Sequence, residues 1–91
     1  MWIVGIRRVV GDSMSPRLNE GNLILVRRSK NYKIGDIVGF KLNDQVLIKR
    51  ISEINNGLFY ALGDNPKNSL DSRKFGWIAF DTIVFKLVFR I

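Results

Sequence analysis

The chain has no cysteine and no histidine. The first absence excludes disulfides and a thiol nucleophile. The second removes imidazole from any acid–base chemistry and argues against a zinc site. Proton transfer must therefore fall to Lys, Asp, Glu, Tyr or a terminal group. Acidic residues are scarce, 8 against 15 Lys and Arg, which leaves a net charge of +7. Such a balance favours solubility, and it also fits nucleic acid or an anionic membrane surface. The cations are scattered, however, with short groups at Arg7-Arg8, Arg27-Arg28 and Lys49-Arg50. They lay down no phosphate track. Long apolar runs are lacking too. The run over residues 1–6 stops at Arg7-Arg8, far short of the ~20 residues of a spanning helix. Its charges follow the run, whereas a secretory signal carries them in front. The expectation is a cytoplasmic protein without its own membrane anchor, with peripheral membrane contact left open.

What is present reads as one small β domain. Ninety-one residues, 46% of them hydrophobic, suit a single domain over 1–91. Residues 2–10, 23–26, 37–42, 46–54, 58–62, 77–80 and 82–90 are short, rich in Ile, Val, Leu and Phe, and bounded by turn residues, as strands are. Asn43-Asp44-Gln45 and Asn55-Asn56-Gly57 read as hairpin turns. In the last strand, alternation places Ile83, Phe85, Leu87 and Phe89 on one face and Val84, Lys86, Val88 and Arg90 on the other. No segment has a helical period with caps. The predicted fold is all-β, a coiled antiparallel sheet or a partly closed barrel.

Three stretches could carry chemistry. Gly11-Asp12-Ser13-Met14-Ser15-Pro16 sets a serine between a flexible glycine and a rigid proline. A serine hydroxyl attacks only when a base takes its proton, and lysine is the natural base where histidine is missing. Lys49 lies in an apolar strand and alternates with Leu47 and Ile51, so one face holds all three. Burial there would disfavour its ammonium and make it a base. The ordinary alternatives are a serine that merely builds a turn and a lysine whose stem lies on the sheet with its head in water. Met14 is either a surface methionine or a wall beside the nucleophile. The third stretch runs from Gly63 through Asp64, Asn65, Ser69, Asp71 and Ser72 to Arg73. It is either a solvated connection or a support for the lysine. In the second case Asp71 pairs with Arg73 across an extended segment, Asp64 is a second partner for Arg73, and Ser69 aims the lysine.

In order and spacing, Ser13-Met14-Ser15-Pro16, Lys49-Arg50 and the 63–73 stretch resemble the type I signal peptidase family. The first two elements are shared with the LexA-like self-cleaving repressors. The resemblance implies a signal-peptidase or LexA-like catalytic core with a Ser-Lys dyad: Ser13 as nucleophile and Lys49 as general base, with no metal or other cofactor. Ser69, Asp71, Arg73, Asp64 and Ser72 would be supports. Met14 and Gly11 would lie at the substrate, Gly11 standing where some members carry an extra oxyanion hydroxyl, and the Ser13 N–H would serve the oxyanion. The secretory members have an N-terminal anchor and an inserted domain after the lysine strand, where this chain has a bare hairpin. That compactness resembles the small maturation peptidases of nickel-containing superoxide dismutase, and implies a propeptide-bearing superoxide dismutase precursor as protein partner. Two other readings remain. One is a signal peptidase working at a membrane surface. The other is a basic β-barrel stacking single-stranded nucleic acid on Trp2, Phe59 and Tyr60.

Overall fold

A computed structural model describes residues 3–67 and 70–91. The strands are β1 (Val4–Arg8), β2 (Leu23–Arg27), β3 (Ile37–Leu42), β4 (Gln45–Asn55), β5 (Leu58–Leu62), β6 (Ile78–Ala79) and β7 (Ile83–Arg90). They form one antiparallel sheet in the order β1-β2-β7-β3-β4-β5-β6. The fold is thus all-β, as expected. Of the two expected shapes it takes the open sheet, because its edges β1 and β6 do not pair.

The two tight hairpins follow from local chemistry. Asn43 and Asp44 both take positive φ, 50° and 68°, and so do Asn56 and Gly57, 49° and 78°. Positive φ at both central residues gives the turn that matches strand twist. The closing strand β7 returns between β2 and β3 and joins the early hairpin to the later strands.

β7 departs from the simple alternation. Its register shifts once against β2 and once against β3, so that Val88 and Val84 become extra residues. Each bulge exchanges the faces beyond it. Ile83 therefore packs with Val38, Phe40 and Ile51 on one side, while Phe85, Val84 and Leu87 pack with Ile24, Val26 and Ile37 on the other. Phe89 lies largely exposed.

Both faces of the sheet are covered around β3, since Ile37 belongs to one apolar cluster and its neighbour Val38 to the other. Gly39 explains how β7 approaches so closely. A Cβ on Gly39 would stand 2.3 Å from Cζ of the buried Phe85 ring. Gly39→Ala is expected to cost about 1–3 kcal/mol through overpacking, read as a lower urea midpoint. Adding Phe85→Leu, which removes the clashing ring atom, should recover part of it.

The 63–76 stretch is not wholly irregular. A single helical turn, α1 (Ser72–Phe75), is capped by Asp71 at its start and by Gly76 at its end.

Candidate active site

The residues that cap turns and close loops also place the reactive groups. Ser13 follows Gly11, whose N–H donates to Glu20 Oε1 at 3.0 Å. Behind it Met14 is buried with Val9, Leu18 and Phe85, so it is a core anchor as well as a wall, and no surface methionine. Lys49 is opposite Val38 on β3, on the face that carries Leu47 and Ile51. It is 3% exposed. Its Nζ lies 2.7 Å from Ser13 Oγ and donates to it as placed. Once the amine is neutral, the same contact lets it accept the serine proton. Burial pushes the Lys49 amine below its ordinary value of 10.5, and the nearby Asp71 carboxylate acts in the opposite, smaller sense.

The polar loop grips this pair from behind. Asp71 is fully buried. Its carboxylate accepts from Arg73 Nη2 at 2.6 Å, Arg73 Nε at 3.0 Å, the Arg73 N–H at 3.1 Å and the Gly63 N–H at 3.0 Å. The Asp71–Arg73 pair thus forms across a helical turn, and not an extended segment, because the N-cap geometry brings the side chain back over the turn. Asp64 does not partner Arg73. It takes a two-pronged contact from Arg50, Nε to Oδ1 at 2.9 Å and Nη2 to Oδ2 at 2.7 Å. Ser72 Oγ accepts from the Ala61 N–H at 2.8 Å, which ties α1 to β5. Ser69 lies outside the described residues.

Two residues given no role from the sequence support the loop beside the nucleophile turn. Asn65 donates its backbone N–H to the Ser13 carbonyl at 2.8 Å and its Nδ2 to the Asp12 carbonyl at 3.2 Å. Arg50 fixes Asp64 beside it. The signal was the Asn within Gly63-Asp64-Asn65-Pro66, a residue able to bridge two carbonyls.

A cleft of about 400 Å³ opens over the pair, with Ser13, Met14, Ile48, Lys49 and Phe85 among its walls. Two strand edges border it. Ile3 and Val9 send their backbone groups toward β2 and its turn, so alternation points those of Val4, Ile6, Arg8 and Val10 to the free side of β1. Across the cleft, β5 pairs with β4 only from Arg50 onward, which leaves residues 46–49 unpaired on that side within the sheet. Gly11 does not line the cleft.

No group of three or more potential metal ligands occurs among the described residues, and no helix there is long and apolar enough to cross a membrane. Phe59 is 0% exposed, packed edge-on to Phe40. It cannot serve as the base-stacking surface of the nucleic-acid reading, and Trp2 lies outside the described residues.

The lowered lysine carries a stability signature. Between its native value and 10.5 the unfolded chain holds the proton more tightly, so stability rises with pH across that window. Lys49→Met removes the penalty. It is expected to raise the melting temperature near neutral pH and to do so less in alkaline buffer, as calorimetry at two pH values would show.

The chain is similar to known proteins over most of its length. Residues 4–77 match the family model described as Peptidase S24-like. A LexA repressor of Oleidesulfovibrio alaskensis is 41% identical over 58 residues, 63% of this chain and 28% of that protein. The chain thus spans little more than a quarter of that relative's length.

Proposed function

Since the chain belongs to the Peptidase S24-like family, we propose that it is a serine endopeptidase in which Lys49 activates Ser13. The observation that carries this reading is the 2.7 Å contact between a buried lysine amine and a serine hydroxyl at the floor of an open cleft. Neutral Lys49 takes the Ser13 proton as Oγ attacks the scissile carbonyl carbon. Protonated Lys49 returns that proton to the departing amine as the C–N bond breaks, leaving an acyl ester on Ser13. Water then gives a proton to Lys49 and attacks the ester, and Ser13 leaves with that proton restored. The substrate lies extended between the free edges of β1 and β4, held by main-chain bonds. The Ser13 N–H serves the oxyanion.

The substrate we assign is the propeptide of a nickel-containing superoxide dismutase precursor. The support is the sequence likeness described above: Gly-Asp-Ser-Met-Ser-Pro, the bare Asn56-Gly57 hairpin and Gly-Asp-Asn-Pro. The test is intact mass of that precursor after incubation with the wild type and with Ser13→Ala. One N-terminal cut by the wild type alone supports the assignment. An uncut precursor overturns it.

The likeness to a LexA repressor favours a second reading, cleavage of a segment joined to the domain itself. In that case a fused target segment is cut at a rate independent of protein concentration, while a separate one is left intact.

A further inference from the structure

We propose that the cleft selects substrates with an acidic side chain close to the scissile bond, and that Arg8 is the residue that reads it. The inference rests on the peptidase reading and adds a substrate class to it. The residues lining the cleft include Arg7, Arg8 and Lys49 and no Asp or Glu among those described. Among the described residues, the ion pairs Arg50–Asp64, Arg73–Asp71 and Lys86–Asp36 do not involve Arg8. The cleft is lined mainly by apolar side chains, with Arg7 and Arg8 among its residues.

Arg8 is placed to act on a bound strand. It is the last residue of β1, and its backbone groups point to the free edge by the alternation set out above. A strand added at that edge brings side chains beside Arg8 at the spacing of cross-strand neighbours. The Arg8 side chain is exposed, and its Nη1 donates to the Gly21 carbonyl at 3.1 Å. That contact orients the guanidinium without neutralising it. Glu20, next to that carbonyl in the chain, is turned onto the Gly11 N–H. Arg7 stiffens the same rim. Its Nη1 donates to the Ile6 carbonyl at 2.9 Å and its guanidinium lies 6.0 Å from the Phe85 ring centre. An acidic residue here gains a partner of opposite charge, a neutral one gains nothing, and a basic one meets like charge.

The test is digestion of a proteome-derived peptide mixture by the wild type, with cut sites mapped by mass spectrometry and Ser13→Ala as the blank. The expected result is one flanking position at which Asp and Glu exceed Lys and Arg about fivefold, with the excess shrinking as salt rises. Arg8→Glu should invert the preference at that position, and Arg8→Gln should flatten it. Ser13-dependent cuts with no charge preference, or a preference that persists in Arg8→Glu, would overturn the inference and leave the peptidase reading intact. Absence of any Ser13-dependent cut would overturn the inference together with the reading of a peptidase that acts on separate substrates.

Discussion

Ser13→Ala and Lys49→Met are each expected to lower cleavage by at least about a thousandfold, and the double variant to be little worse than either one. The reason is that the two groups act as a unit. Without Oγ there is no acyl intermediate. Without the amine, a hydroxyl that holds its proton at neutral pH stays a poor nucleophile. The variants separate in stability. Lys49→Met removes a buried amine and should melt later, whereas Ser13→Ala leaves the lysine in place. Loss of activity together with a gain in stability is hard to obtain from misfolding, so the pair of measurements isolates a chemical role. Initial rates on the propeptide-bearing precursor and a melting curve for each variant suffice.

Asp71→Ala is expected to have the largest effect on folding, a loss of about 2–4 kcal/mol. Total stability for a domain of this size is on the order of 5–15 kcal/mol. The substitution strips the acceptor from the Gly63 and Arg73 N–H groups and from the Arg73 guanidinium. The half-exposed Arg73 can turn to water, which keeps the loss below that of a wholly buried pair. A second consequence marks the electrostatics. The Asp71 charge opposes the downward push of burial on Lys49. Removing it lowers the lysine further, so the alkaline-rising limb of kcat/KM moves to lower pH. Asp71→Asn, which keeps the shape, should lose less stability and move the limb in the same direction. A limb that stays in place would show that Asp71 acts on packing alone.

The sequence showed the hairpins because their turns are written in two residues each, Asn43-Asp44 and Asn56-Gly57, flanked by apolar strands. The order of the reactive elements was legible for a similar reason, since Ser13-Met14-Ser15-Pro16 and Lys49-Arg50 are short and local. The bulges at Val84 and Val88 were not. A bulge is a choice of backbone register against a partner strand, and apolar residues on both sides of it hide the shift. The Asp71–Arg73 pair was legible as a spacing of two, but the partner of Asp64 depends on which arginine folding brings near. Arg73 is two residues from Asp71 and is returned to it by the capped turn α1, while Arg50 comes from a strand paired with the end of β5. The capped turn α1, with Asp71 before it and Gly76 after, was not legible either, because four helical residues carry no period. In the sequence Met14 reads as either a surface methionine or a wall beside the nucleophile, and only the meeting of 9–18 with Phe85 shows that it is also core.

The central claim is that a neutral Lys49 activates Ser13. Its most direct test is covalent labelling with a fluorophosphonate, followed by intact mass and peptide mapping as a function of pH. The wild type should gain one adduct, on Ser13, at a rate that climbs with pH along a limb centred below 10.5. Lys49→Met should label at least about a thousandfold more slowly at every pH along that limb. An adduct on another residue, or equal labelling of wild type and Lys49→Met, would contradict the account.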